Sequence, residues 1–337
     1  MFGVNYLIQV AKRLKRPIAI CIGLGTSQGD HAGHGMLSRY LSTVGETAGT
    51  AVIMAAGNEG NRGHHYYAEI NPTNGYDNVE LNVANNDSGF SMELWGSAPT
   101  EFSVEVFAPT GEFISRIPIS FGDRKTIELS YEGTSIIVDN QIKELEISDQ
   151  LIIFRFKNPM AGVWNFKISG EGDLPFTFHI WLPIVNFITE GTLFLKPNQF
   201  TTITSPGSTT IPITVTAYNH VDQNLYFNAS NGYTVLNEIT PEIAAPGVDL
   251  YYPTIGNQFV SSTGSSFAAA YTTGIAAMLL EWGVLRGNLT SINSVQLKRI
   301  LIQSAKRDPN LPYPNKNWGY GILDIYNACD LLKNESS

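Results

Sequence analysis

The chain has 337 residues, 43% of them hydrophobic, and carries a formal net charge of −9 at pH 7. This length and apolar content are enough for two domains with cores of their own, while the acidic balance argues against nucleic acid and anionic membranes as main partners. Two cysteines are too few for a disulfide framework, and Cys21, which stands in an apolar run, is predicted to be a small buried residue.

The first 65 residues predict alternating helices and strands. Apolar residues at helical spacing over 3–16, ended by Pro17, predict one helix, and residues 36–49 predict another. The apolar runs 18–22 and 51–56 predict strands of a parallel sheet that is covered on both faces. This alternation is typical of an α/β layer architecture.

Neither a signal peptide nor a transmembrane helix is predicted. Lys12 and the basic residues around it follow the apolar start of the chain, whereas a signal peptide has its positive charges first. The most apolar stretch, 274–280, stops at Glu281, well short of the roughly 20 residues that span a bilayer. A membrane is therefore not expected as a partner, and the compartment stays unknown.

From Tyr66 to Ser205 the pattern changes to short segments in which apolar and polar residues alternate. Turn residues separate many of these segments, which predicts an all-β sandwich or jelly roll. The predicted strands cover 79–83, 102–107, 135–138, 151–156, 163–168 and 176–181.

The α/β pattern returns after residue 205. Residues 213–217 predict a strand, and helices are predicted over 266–282, 294–304 and 322–332. We therefore predict one discontinuous α/β domain, residues 1–65 and 206–337, interrupted by an inserted β-sandwich domain over 66–205.

Three motifs are candidates for chemistry. Ser266, in Gly-Ser-Ser-Phe-Ala-Ala-Ala, is placed in the first turn of a helix, where unpaired N–H groups favour a developing anion. Asn58 follows a strand in Ala-Ala-Gly-Asn-Glu-Gly, and its amide is able to donate to an oxyanion. Gly23-Leu24-Gly25 leaves a backbone open to pair with an extended peptide. Taken singly, these are also ordinary features: a helix cap, a turn asparagine and a strand exit.

Together, and in this order, the motifs resemble those of the subtilisin-like serine proteases, the subtilases of peptidase family S8. Pro241-Glu-Ile-Ala-Ala-Pro-Gly-Val248 adds to the match. The sequence is most similar to the clostridial Csp-type germination proteases, on the basis of Gly29-Asp-His-Ala-Gly33, Ala270 and the segment 313–324. The resemblance implies a three-layer subtilisin-like parallel sheet with a jelly-roll insertion.

The resemblance also implies roles for individual residues. Ser266 corresponds to the nucleophile, and Asn58 to the side chain of the oxyanion hole. Two short segments correspond to the walls of the substrate cleft and the strand that pairs with the peptide. These substrate-binding residues are Gly23, Leu24, Gly25, Ala55, Ala56 and Gly57.

The sequence departs from the family pattern in its catalytic residues. Subtilases order their triad Asp, His, Ser along the chain, and both the Asp and the His-Gly-Thr motif would precede the helix at 3–16, where the sequence holds neither. The chain thus resembles the C-terminal part of a subtilase. A smaller departure is Ser265, where the family usually has Thr.

The six histidines do not form an obvious substitute. His31 and His34, in Gly-Asp-His-Ala-Gly-His-Gly, superficially resemble a catalytic motif, but the resemblance assigns that loop to the substrate side. His64 and His65 lie close to Asn58 in sequence. Neither group has a second ligand cluster at suitable spacing, so no metal and no cofactor is expected.

The preferred function is that of a serine endopeptidase acting through an acyl-enzyme at Ser266, with this chain alone silent for lack of Asp and His. The alternative is a non-catalytic pseudoprotease or binding module, in which Trp95, Trp164 and Trp181 of the insert would offer a surface for sugars or proteins. Expected partners are a peptide or protein substrate, a segment carrying Asp and His, and a second copy of the chain. Family analogy suggests a spore-associated or extracytoplasmic location.

Overall fold

The structure is a computed structural model that describes residues 1–71, 75–97, 101–118, 122, 124–129, 133–143, 149–170 and 173–335. Its helices are α1 (Phe2–Leu14), α2 (Met36–Gly45), α3 (Ser265–Leu280), α4 (Ser294–Ser304) and α5 (Ile325–Glu335), and a π-helical turn (Glu281–Leu285) follows α3. Its strands are β1 (Ile18–Ile22), β2 (Thr50–Ala55), β3 (His65–Ile70), β4 (Tyr76–Val83), β5 (Ser91–Gly96), β6 (Phe102–Phe107), β7 (Phe113–Ile117), β8 (Arg124–Glu128), β9 (Ser135–Lys143), β10 (Asp149–Lys157), β11 (Gly162–Gly170), β12 (Phe176–Trp181), β13 (Leu193–Phe194), β14 (Ile213–Tyr218), β15 (Ile243–Pro246), β16 (Leu250–Thr254) and β17 (Gln258–Ser262).

The chain divides into two compact units. The α/β unit consists of Met1–Thr26, Asp30–Gly60 and Phe200–Ser337. The β-rich unit consists of Ser27–Gly29 and Asn61–Gln199. Each unit has a core of its own.

A parallel sheet in the order β1-β2-β14-β15 forms the centre of the α/β unit. Successive side chains of a strand face opposite sides of the sheet. Accordingly, Ala51 and Ile53 of β2 pack with residues of α3, α4 and α5, whereas Val52 and Met54 pack with residues of α1 and α2. Helices therefore cover both faces of the sheet, and the predicted parallel α/β architecture is confirmed.

The first strand is less buried than its sequence predicts. In the described part of the sheet β1 is an edge strand; Ile20 is buried, but Cys21 is exposed, so the expectation of a buried thiol was wrong. Helix α1, which packs on one face of the sheet near β1, has no buried residue, and its Phe2 is 92% exposed. An unbroken apolar run thus lies at a partly solvated edge instead of the middle of the sheet.

Helix α3 and the π-helical turn after it form a longer apolar segment than the stretch 274–280 noted in the sequence. The 21 residues Ser265–Leu285 have the length and composition to cross a membrane, with a mean hydropathy of 1.3. One face of this segment, including Ala268, Ala276 and Leu279, is buried with the side chains of the parallel sheet. Packing in an α/β core is enough to account for this composition, because a buried core helix can be as long and as apolar as a membrane-spanning helix.

The β-rich unit contains two antiparallel sheets, in the orders β3-β12-β5-β10-β9-β8 and β13-β4-β11-β6-β7. Apolar side chains of both sheets form a single cluster that includes Leu94, Phe154, Trp164 and Phe166. The six strands predicted from alternation are all present. Trp164 is fully buried and Trp181 is 3% exposed, so these two rings do not form the binding surface considered above.

A buried ion pair links α4 to the parallel sheet. Glu242 is 4% exposed; one carboxylate oxygen pairs with Lys298, and the other accepts the N–H of Thr214 at 2.7 Å. Burial raises the pKa of Glu242, and the ammonium of Lys298 opposes that shift. The carboxylate therefore depends on its two partners for stabilisation.

Replacing Glu242 with alanine is expected to lower the free energy of unfolding by about 3–5 kcal/mol, because Lys298, whose side chain is 16% exposed, would be left largely desolvated without its counter-ion. Urea denaturation followed by circular dichroism measures the change. Asp330→Ala is the matched control: its ion pair with Lys333 is exposed, and its removal is expected to cost less than about 1 kcal/mol. Equal effects of the two substitutions would contradict the prediction.

Candidate active site

Ser266 lies in the first turn of α3, which begins at Ser265 with Gly264 as its N-cap. The helix begins tightly, with the N–H of Phe267 donating to the carbonyl of Gly264 at 3.1 Å. Ala268 and Ala269 are fully buried in the next turn, where their small side chains let the helix approach the sheet closely. Ser266 is half-buried, at the end of the helix where free N–H groups concentrate positive potential.

Asn58 meets this helix from the end of β2. Its Oδ1 accepts the N–H of Ser265 at 2.9 Å, and in the same contact the N–H of Gly57 donates to Oγ of Ser265 at 3.0 Å. Residue 57 has φ +111°, which favours glycine at this turn. These reciprocal bonds hold the strand end and the helix start together although they are about 200 residues apart in sequence.

The amide donor of Asn58 and the hydroxyl of Ser266 flank one small space. Because Oδ1 of Asn58 accepts from Ser265, Nδ2 is the end of the amide that is left to donate elsewhere. A Cβ placed on Gly264 would lie 3.4 Å from that Nδ2 and 3.5 Å from Oγ of Ser266. The arrangement is able to hold a carbonyl carbon near the hydroxyl and its oxygen near the amide.

Ser265→Ala is expected to destabilise the protein by about 1–3 kcal/mol, because it leaves the buried N–H of Gly57 without its acceptor. The midpoint of thermal or urea unfolding measures the loss. Ser265→Thr retains the hydroxyl and serves as the control, for which we expect a smaller change. A threonine variant as unstable as the alanine variant would show that packing, and not this hydrogen bond, governs the position.

The residues predicted to bind substrate fall into two groups. A Cβ on Gly23 would lie 3.3 Å from Cβ of Ser266, and the next residue, Leu24, is 79% exposed. Gly25 lies against Thr204. Gly23 therefore borders the serine, and Leu24 is open to solvent.

The second group, Ala55, Ala56 and Gly57, is buried in the α/β unit. Ala55 and Ala56 are buried, and Ala56 donates its N–H to Val215 and accepts the N–H of Thr204, both at 2.9 Å. Gly57 is bonded to Ser265, as described above, and also lies close to Thr204. Ala56 therefore has its main-chain groups engaged within the protein, whereas Gly23 borders the serine and Leu24 is exposed.

Four of the six histidines have contacts within their own unit. In the α/β unit, His31 is 1% exposed with Nδ1 2.8 Å from the carbonyl oxygen of Ile203, and Nδ1 of His34 lies 3.5 Å from the carboxylate of Asp30. In the β-rich unit, Nε2 of His65 lies 2.9 Å from Nδ1 of His179. Within the described residues, the hydroxyl of Ser266 makes no hydrogen bond to a histidine. Those residues also contain no group of three or more His, Cys, Asp or Glu able to hold a metal ion.

A hairpin that was not predicted from the sequence packs against the first turn of α3. Strands β16 and β17 pair between the Pro-Gly-Val segment and α3, and Tyr252 packs on Phe267 with ring centroids 5.2 Å apart. The other face of the hairpin is apolar and open, with Tyr251 78% and Phe259 68% exposed. The turn residues Gly256 and Asn257, between two short segments rich in aromatic and β-branched residues, are the signal that could have identified it.

The chain is similar in sequence to one protein family and in structure to several solved proteases. The model of the subtilase family matches residues 188–321. The structure of the Clostridium perfringens CspB protease is similar over 99% of this chain and 70% of that chain, with 27% identity and a TM-score of 0.90. The patellamide maturation proteases PatA and PatG match 40% and 39% of this chain and 48% and 40% of theirs, with 25% and 23% identity and TM-scores of 0.34 and 0.33. No curated protein sequence matches the chain.

Proposed function

Because this chain belongs to the subtilase family of serine proteases, we propose that Ser266 is the nucleophile and Asn58 an oxyanion-hole donor in the hydrolysis of a peptide bond. The observation that carries this proposal is the placement of Nδ2 of Asn58 and Oγ of Ser266 around one space at the N-terminus of α3. Family membership makes peptides or proteins the substrate class.

The proposed chemistry proceeds in two stages. Oγ of Ser266 attacks the scissile carbonyl carbon and loses its proton to a base, and the carbonyl oxygen becomes an oxyanion. Nδ2 of Asn58 and the N–H of Ser266 donate to that oxyanion. The base then protonates the leaving amine, and water releases the acyl group from Ser266 by the reverse route.

The base for this reaction must come from outside the described residues, and we propose that the chain alone is silent. A serine hydroxyl is a weak nucleophile without an adjacent base. The sequence holds no His-Gly-Thr motif, and Ser266 has no histidine partner among the described residues. A separate segment carrying Asp and His would complete the site.

We propose that this segment binds along the edge strand β1 and the exposed face of α3. β1 has one unpaired edge in the described sheet, and the face of α3 with Ala270, Tyr271, Gly274 and Met278 is exposed. A strand and a helix placed there would cover apolar surface and bring a base towards Ser266. A second copy of the chain is the other candidate to cover this surface.

Light scattering separates the two candidates. If a second copy covers this surface, the purified chain is dimeric, and Met278→Glu is expected to convert it to a monomer. A chain that is monomeric at all concentrations would contradict the homo-oligomer and leave the Asp- and His-bearing segment as the proposed cover.

We also propose that residues 66–205 form a jelly-roll domain inserted into a subtilase domain of residues 1–65 and 206–337. Two antiparallel sheets around one apolar cluster support this, as does the division of the chain near Gly60 and Phe200.

A non-catalytic pseudoprotease is the alternative function, and it is favoured by the absence of a histidine partner for Ser266 among the described residues.

Labelling with a fluorophosphonate, read by intact mass, tests the proposed function. We expect no labelling of the folded chain alone and labelling of Ser266 once the Asp- and His-bearing segment is bound, with Ser266→Ala as the negative control. Ser266-dependent labelling of the chain alone would contradict its silence. Absence of labelling in the completed protein would favour the pseudoprotease.

A further inference from the structure

Three loops of the β-rich unit meet at one end of the strands of a sheet. Strands β4 and β6 both pair antiparallel with β11, so the ends of β4 and β6 lie beside the start of β11. The loops at these ends are 84–90, 108–112 and 158–161. Together they line a pocket of about 830 Å³, within the range of small-molecule sites.

The pocket is held in shape by bonds within and between the loops. Asp87 is 6% exposed and accepts the N–H of Gly89 at 2.9 Å with one oxygen and the hydroxyl of Thr192 at 2.7 Å with the other. The N–H of Asn158 donates to the carbonyl of Ser88 at 3.1 Å, which joins two of the loops. The site is therefore pre-organised, and a ligand would not have to order it.

Apart from Asp87 and Thr110, the side chains that line the pocket are uncharged amides and apolar groups. Asn85, Asn86 and Asn158 are exposed at its mouth, and each amide both donates and accepts. Pro109 and Met160, both partly exposed, supply apolar surface beside them. Asp87 is the ionisable member of the lining among the described residues, and the N–H and O–H groups above already occupy both of its oxygens.

We propose that this pocket binds a neutral oligosaccharide. Sugar hydroxyl groups donate and accept, so they pair with carboxamides, while the C–H faces of the rings pack on apolar side chains. A divalent cation would need the carboxylate of Asp87, which is engaged, and an anion finds no cation in the described lining. The site lies in the β-rich unit and uses none of the residues proposed for proteolysis, so it goes beyond the protease function.

The test is a titration of the whole chain with tri-N-acetylchitotriose, maltotriose and cellotriose, followed by saturation-transfer NMR and calorimetry. We expect saturable binding of at least one of them, with a dissociation constant on the order of millimolar. The double variant Asn85→Ala/Asn158→Gly removes two amides and is expected to weaken binding at least about tenfold, at roughly 1 kcal/mol per hydrogen bond. Glycine is chosen at position 158 because its φ is +44°.

The matched control is Asn186→Gly, which removes an exposed asparagine amide at φ +73° outside the pocket and is expected to leave binding unchanged. Circular dichroism checks that all variants are folded. Failure of all three sugars to bind, or equal binding by the double variant, would overturn the proposal. Calcium binding that is lost in Asp87→Asn, without binding of any sugar, would show a cation site and overturn it as well.

Discussion

Replacing Ser266 with alanine is expected to lower kcat for peptide hydrolysis by about 10⁶ in the form of the protein that contains the catalytic Asp and His, the loss known for the nucleophile of subtilisin. Alanine removes the only atom that forms the acyl-enzyme, and the oxyanion donors alone supply a small residual rate. Initial rates on a fluorogenic peptide library, normalised to the concentration of folded protein, measure the effect.

Ser261→Ala is the matched control for this result. Ser261 is an exposed hydroxyl on β17, in the hairpin that precedes α3, and its loss is expected to leave kcat nearly unchanged. Because Ser266 is half-buried and its side chain makes no hydrogen bond to the described residues, Ser266→Ala should also retain the stability of the parent protein. Undiminished hydrolysis by a folded Ser266→Ala variant would assign the nucleophile elsewhere.

Asn58→Ala is expected to lower kcat by about 10²–10³, the range measured for the oxyanion-hole asparagine of subtilisin, with little change in KM if Asn58 has the proposed role. Nδ2 of Asn58 donates to negative charge that develops on the carbonyl oxygen during the reaction, so it stabilises the transition state more than the bound substrate. Steady-state kinetics of the completed protein separate the two parameters.

Asn58 also has a structural bond, and a second variant distinguishes the two roles. Oδ1 accepts the N–H of Ser265, and alanine removes this bond along with the donor. Asn58→Asp keeps an acceptor for Ser265 but replaces the donor with a carboxylate oxygen, so it is expected to lose at least as much kcat as alanine. An aspartate variant with near-normal kcat would show that Asn58 only positions the helix.

Much of the α/β architecture was predictable because its signals are local. The run 18–22 predicted β1 without error, and the pattern over 294–304 predicted α4. In α4 the local signal is strong: Asn293 caps the helix and Gln296 returns a bond to it. The last helix begins at Ile325, later than predicted, because residues 322 and 323 bond instead to Lys306 and Ala244. Helix ends are fixed by such tertiary bonds, which no periodicity contains.

The motifs around Ser266 and Asn58 were recognisable from sequence for the same reason, since each is a short segment with its own composition. What the sequence by itself determined is therefore the α/β fold class and the resemblance to the subtilases, and it made these two residues the candidates for the site. Their joint geometry depends on the bonds between Asn58, Gly57 and Ser265, which form only when β2 and α3 pack.

Only the tertiary structure decided which apolar segments are covered and which loops meet. Cys21 is exposed because β1 lies at an edge of the described sheet, a property of strand order and not of the strand. The pocket beside Asn85 and Asn158 joins loops about 70 residues apart, brought together by the pairing of β4 and β6 with β11. The physical reason is that burial and proximity are set by long-range pairing, whereas propensity and motif composition are set by neighbours along the chain.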